Sequence, residues 1–251
     1  RPALSRPKGQ AQAMSCLNNT RQLALAWTLY ADDHDSRLPY NLGGQGARRV
    51  ATLRTNLNWV NNVLNWFEDS DNTNTATLIE ASLGAYVSRS TAVYRCPSDH
   101  VLSELQRSQG WSGRVRSYSM NAMVGDAGEL SRQGFNVNNP DYVQFFKLTT
   151  ILHPAQIFVF LDEHPDSIND GYFLNKYSDY NSYQWIDLPA SYHNGAAAFA
   201  FADGHSELHR WQMAGTKVPA RAYVTALPLT ISAKELADFH WVLERMSVDQ
   251  K

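Results

Sequence analysis

The sequence is short of cysteine, of net charge and of long apolar runs, and each shortage excludes something. With 2 cysteines in 251 residues, no dense disulfide framework can carry the fold. Lys+Arg is 22 and Asp+Glu is 24, a formal charge of −2, without the clustered basic excess of a nucleic-acid surface. No apolar stretch approaches the roughly 20 residues that cross a bilayer as a helix. There is no G-x-S-x-G elbow, no Gly-rich phosphate loop and no HExxH, so the common catalytic signatures are missing. No start methionine or signal peptide is present; the chain opens at Arg1-Pro2-Ala3-Leu4 and reads as a processed or truncated product.

What is present argues for a packed protein. The hydrophobic fraction is 43%, with 7 Trp, 12 Tyr and 10 Phe, enough to bury a core. No repeat or low-complexity linker divides the chain, so one domain over 1–251 is expected. Residues 1–31 form the C-terminal part of an N-terminal helix and 32–251 an α+β head.

Residues 10–31 carry Ala13, Cys16, Leu17, Thr20, Leu23, Ala24, Trp27 and Tyr30 at three- and four-residue steps, a helical stripe. Leu25 and Leu29 widen it, so the helix is expected to be covered on more than one side. Pro7 predicts a kink or a start after it. Residues 41–75 are Asn- and Gly-rich and read as a loop pinned by Trp59, Trp66 and Phe67; residues 77–86 read as a short helix. Arg116 to Met123 is extended. Ile157 to Leu161 is a strand rich in β-branched and aromatic residues. Gly171 to Leu174 and Ala196 to Ala202 are further strands, and Ser206 to Trp211 pairs with the latter across the Asp203-Gly204 turn. A helix over 233–246 ends the chain. Helix first and antiparallel strands later predicts an α+β fold: a helix on an antiparallel sheet, with long irregular loops.

Four segments carry a family resemblance. They are Cys16-Leu-Asn-Asn-Thr-Arg-Gln22, leading to Leu38-Pro39; Tyr94-Arg-Cys-Pro-Ser-Asp99; Arg116-Ser-Tyr-Ser-Met-Asn121; and Leu161-Asp-Glu-His164 with Asn169-Asp-Gly171, followed by His193 and, after nine residues, Asp203-Gly204-His205. Together they resemble a family of prepilin-like proteins, relatives of the type II secretion pseudopilins abundant in Planctomycetes and Verrucomicrobia, with a C-terminal His-x9-Asp-Gly segment. The resemblance implies a non-enzymatic subunit of a type IV pilus-like or type II secretion pseudopilus filament. It implies self-assembly with other pseudopilins, an inner-membrane anchor through a hydrophobic helix upstream of Arg1, and a place in the bacterial cell envelope, periplasmic or extracellular. It implies no nucleic-acid partner. The alternatives are a secreted carbohydrate-binding module using Trp59, Trp66, Trp111, Trp185, Tyr177, Tyr180 and Tyr183, and a metal-dependent hydrolase built on His193, Asp203 and His205.

Asp162, Glu163, Asp170, His193, Asp203 and His205 are candidate metal residues, with His164 and Asp187 nearby. Carboxylates at strand ends could assemble an oxygen-rich Ca²⁺ site, a reading raised by calcium binding in related pseudopilins. The other reading is turn caps and a hydrogen-bonded core histidine. Zinc fits the spacing less well, since no Cys/His pair stands at ligand separation. Cys16 and Cys96 are compatible with one disulfide or with two buried thiols; on the family reading a disulfide would staple the helix to the Pro-Ser-Asp loop. Asp32-Asp-His-Asp35 lacks the Gly and Glu of a calcium loop and reads as a solvated helix end.

Overall fold

The computed structural model describes residues 5–55, 57–177 and 183–250. Tyr180 and the opening residues Arg1 to Leu4 lie outside them.

The fold is α+β. Helix α1 runs from Ser5 to Asp33. Pro7 lies within this helix, so the helix does not wait until after it. Among the described residues, four shorter α-helices follow: α2 (Gly44–Leu53), α3 (Ala76–Ile79), α4 (Glu104–Ser108) and α5 (Leu236–Leu243). Helix α2 lies in the stretch expected to be loop. Its Ala47, Val50 and Ala51 are buried at helical spacing.

The seven strands among the described residues are β1 (Tyr118–Asn121), β2 (Phe158–Asp162), β3 (Tyr172–Phe173), β4 (Gln184–Trp185), β5 (Ala196–Phe201), β6 (Ser206–Arg210) and β7 (Leu229–Thr230). Five of them form one sheet in the order β3-β1-β2-β5-β6, while β4 and β7 pair separately. The large sheet is antiparallel except where β3 joins β1 in parallel. The hairpin of β5 and β6 forms as its turn chemistry predicts, with Ala198 opposite Leu208.

Strand alternation divides the core into two layers. Tyr118, Met120, Phe160, Ala198, Ala200 and Ala202 join Cys16, Leu23, Ala24 and Trp27 of α1 in one cluster. Phe158, Leu161, Ala197, Phe199 and Phe201 join Trp185, Trp211, Phe239, Val242 and Met246 in the other. On β5 the helix-facing side is alanine at 198 and 200, and the opposite side is phenylalanine at 199 and 201. The small side chains let α1 lie close over the sheet. A β-bulge between Phe158 and Phe160 places Val159 and Phe160 in the same layer.

Helix α1 is covered on one side only. Trp27 and Leu23 are fully buried, whereas Met14, Leu25 and Leu29 face outward, 64%, 58% and 42% exposed. The two leucines therefore do not extend the buried face. Among the described residues, no helix is long and apolar enough to cross a membrane.

Candidate metal centre

The alternation that sends Phe160 toward α1 sends Asp162 the same way, because the two are two residues apart. Asp162 pairs across the sheet with Tyr118, whose side chain also faces the helix. On α1, Cys16 lies above both: its Sγ is 3.1 Å from Asp162 Oδ2, 3.3 Å from Oδ1 and 3.2 Å from the Tyr118 hydroxyl.

His193 enters from a turn ahead of β5. Asn194 and Gly195 both adopt positive φ there, the conformation these two residue types accept most readily. Its Nε2 is 3.4 Å from Asp162 Oδ2 and 3.4 Å from Cys96 Sγ. Cys96 is placed by a turn in which the Asp99 amide donates to the Cys96 carbonyl. One ligand atom each from Cys16, Cys96, Asp162 and His193 lies within 4.8 Å of the others, and among the described residues this is the one such group of His, Cys, Asp or Glu. All four residues are buried.

Cys16 and Cys96 are free thiols. The expected disulfide is thus not formed. The chain does bring the two cysteines together, but toward a carboxylate and an imidazole.

Electrostatics at the cluster are strongly perturbed. Burial pushes the Cys16 thiol well up, reinforced by its hydrogen bond to Cys96 and the nearby Asp162 charge. Burial acts the same way on Cys96, but hydrogen bonds from Cys16 and His193 and the imidazolium charge outweigh it and lower this thiol. Burial alone would depress His193; hydrogen bonds and charges from Asp162 and Cys96 reverse that and hold it up to about 10.

The cluster is not laid out as a nucleophile–base relay. In a relay, nucleophile and orienting carboxylate use opposite nitrogens of the imidazole. Here Cys96 and Asp162 both approach Nε2. Several donors aimed at one point suit a ligand set, and Cys16 and Cys96 have no exposed surface for substrate attack.

The four segments singled out in the sequence meet around this cluster. Asn19, one turn beyond Cys16, donates to the carbonyls of Ala92 and Arg95 beside Cys96. Asp99 accepts from the Ser117 hydroxyl at 2.7 Å, joining the Cys-Pro-Ser-Asp loop to β1. Arg116, fully buried, donates to the carbonyls of Tyr118, Asn169 and Asp170. Burial lowers its guanidinium to about 10.

Of the six candidate metal residues, the structure unites Asp162 and His193 and places the other four elsewhere. Asp170 accepts from the amides of Gly44 and Tyr172, a structural role, with its carboxyl pushed up by burial. Glu163 is fully buried and raised to about 7 by burial, with Oε1 unpartnered. Asp203 and His205 pair with each other at 2.6 Å on the exposed hairpin turn. His164 contacts the Pro219 carbonyl through Nε2, and Asp187 accepts from the Leu174 amide. The converging set is therefore sulfur- and nitrogen-rich, not the oxygen cage that suits calcium. His193, Asp203 and His205 do not assemble as a hydrolase site. Trp59 and Trp185 are fully buried and offer no sugar platform. What the sequence reading missed is the grouping of both cysteines with Asp162 and His193.

A model of the family described as "Protein of unknown function (DUF1559)", SBP_bac_10, matches residues 7–147, more than half of the 251-residue chain. The match includes Cys16 and Cys96 and ends before β2. No curated protein and no solved structure matches.

Proposed function

The chain belongs to the DUF1559 family, and from that premise we propose that it is the globular head of a non-catalytic subunit of a type IV pilus-like or pseudopilus filament in the bacterial envelope. Helix α1 carries this reading. It has a section, Pro7 to Gln12, in which no residue is buried, and continues into a section packed on β2, β5 and β6. One helix that is a core element at its C-terminal end and largely exposed at its N-terminal end suits a subunit whose helices bundle along a filament axis. The outward ridge of Met14, Leu25 and Leu29 supplies apolar surface for a neighbouring copy.

The test is to follow the native gene product. Mass spectrometry of its N-terminus, with electron microscopy of material sheared from cells, should reveal a processed apolar segment upstream of Arg1 and filaments that carry the head. Replacing Leu25 and Leu29 together by Asp should abolish filaments and leave the melting temperature of the head unchanged. A product released as a free monomer, with no apolar segment retained, overturns the reading.

A further inference from the structure

We propose that Cys16, Cys96, Asp162 and His193 form a structural site for a thiophilic divalent cation of the zinc class. The cation clamps α1 onto the sheet.

The donor set is the first argument. Two thiolates, one imidazole and one carboxylate make a complete four-ligand shell of the types zinc accepts. The second argument is spacing. A tetrahedral ion with bonds of about 2.0–2.3 Å separates its ligand atoms by roughly 3.3–3.8 Å. The Sγ96···Nε2 and Nε2···Oδ2 separations are 3.4 Å, and Sγ16 lies 3.1 Å from Asp162 Oδ2. These three separations lie within tenths of an ångström of a coordination shell, and all four ligand atoms lie within 4.8 Å of one another. The third argument is the outer layer. The Ala198 amide donates to Asp162 Oδ2 at 3.0 Å, and the Tyr118 hydroxyl stands 3.2 Å from Cys16 Sγ. These groups orient a carboxylate and stabilise a thiolate as ligand-supporting groups do.

The site is closed, with no fifth protein group or open position required, which marks it as structural. A groove of about 660 Å³ lined by Ser15, Asn19, Cys96 and His100 runs beside it. Binding exchanges the thiol protons and the imidazolium proton for the metal, so no redox step is involved. The four ligands come from α1, from the turn ahead of α4, from the end of β2 and from the turn before β5. One ion would therefore join the helix to the sheet and to the loop that carries Cys96.

This inference is independent of the filament reading, because it is measured on the head alone. The chain is purified with a thiol reductant and without chelator, and its metal is counted by mass spectrometry. Metal-stripped protein is then titrated with Co²⁺ and with Zn²⁺. The expected result is one equivalent per chain, intense thiolate-to-cobalt charge-transfer absorption, and displacement of Co²⁺ by Zn²⁺. Cys16→Ser and Cys96→Ser should each weaken Co²⁺ binding by more than about tenfold; Asp203→Asn should not. Should the serine variants not fold, the wild-type titration and the effect of chelator on its melting temperature decide alone. Absence of charge-transfer bands in a natively folded wild-type chain overturns the proposal. So does a Cys16–Cys96 disulfide in protein isolated from its native compartment, or a preference for Ca²⁺.

Discussion

Two aspartate–histidine pairs in this molecule invite comparison. His205 and Asp203 approach to 2.6 Å, yet their side chains are 42% and 33% exposed. His193 and Asp162 stand 3.4 Å apart and are 3% and 0% exposed. By distance the first pair is the stronger. By consequence it is the weaker, because water screens it and can replace either partner. The second pair cannot be resolvated in place, and two thiols share its pocket. Burial and convergence, rather than contact length, distinguish a site from a turn.

The largest break in that comparison comes from the buried pair. Asp162→Ala leaves His193 without its counter-charge and the Ala198 amide without its acceptor. A loss of about 3–5 kcal/mol is expected in urea unfolding. A loss below about 1 kcal/mol would show that water reaches the pocket freely.

A second change acts through packing. Ala198 lies on the helix-facing side of β5 and donates its amide to Asp162. Ala198→Leu should lift α1, cost about 1–3 kcal/mol by overpacking, and speed alkylation of Cys16 and Cys96 in the native state. Unchanged alkylation rates would mean that α1 is not what seals the thiols.

A third histidine sharpens the contrast by its pH response. His209 stacks on Trp241 with ring centroids 3.6 Å apart, and its Nε2 has no partner. Burial lowers it to about 4, opposed by Asp238 and aided by Arg245. The folded state therefore binds the proton less well than the unfolded chain. Its contribution to stability is complete above about pH 6.5, the ordinary histidine value, and is lost as pH falls toward 4. His209→Phe should flatten that part of the stability–pH curve; a curve of unchanged slope would remove His209 as its source.

The smallest effect belongs to the exposed pair. Asp203→Asn should shift stability by no more than about 1 kcal/mol, measured by the same urea titration. A larger shift would mean that the hairpin turn is held by this pair rather than by Gly204 at φ 87.

Much of the architecture was legible because it is written locally. The apolar steps of α1, the β-branched run of β2 and the Asp-Gly turn between β5 and β6 each carry their own signal. Helix α2 was hidden by Gly44 and Gly46, although Ala47, Val50 and Ala51 keep helical spacing. The parallel pairing of β3 with β1 has no local signature, since nothing in a two-residue strand names its partner. The cluster was legible only in pieces. Asp162 and His193 stood out as candidates, and the cysteines stood out as a pair, but the four come from distant segments. Ligand-spacing rules look for neighbours three or four residues apart and cannot register such a set. The one usable clue was the two-residue step from Phe160 to Asp162, which puts the carboxylate on the helix side.

Val159 gives β2 a divided phase. Phe158, Phe160 and Asp162 have the same parity, so a regular strand would turn all three the same way. The extra residue resets the count: Phe158 serves the layer of α5, while Phe160 and Asp162 serve the layer of α1. The strand is in effect two half-strands with independent numbering. The half that presents Asp162 stays in step with Tyr118, whichever layer the first half serves.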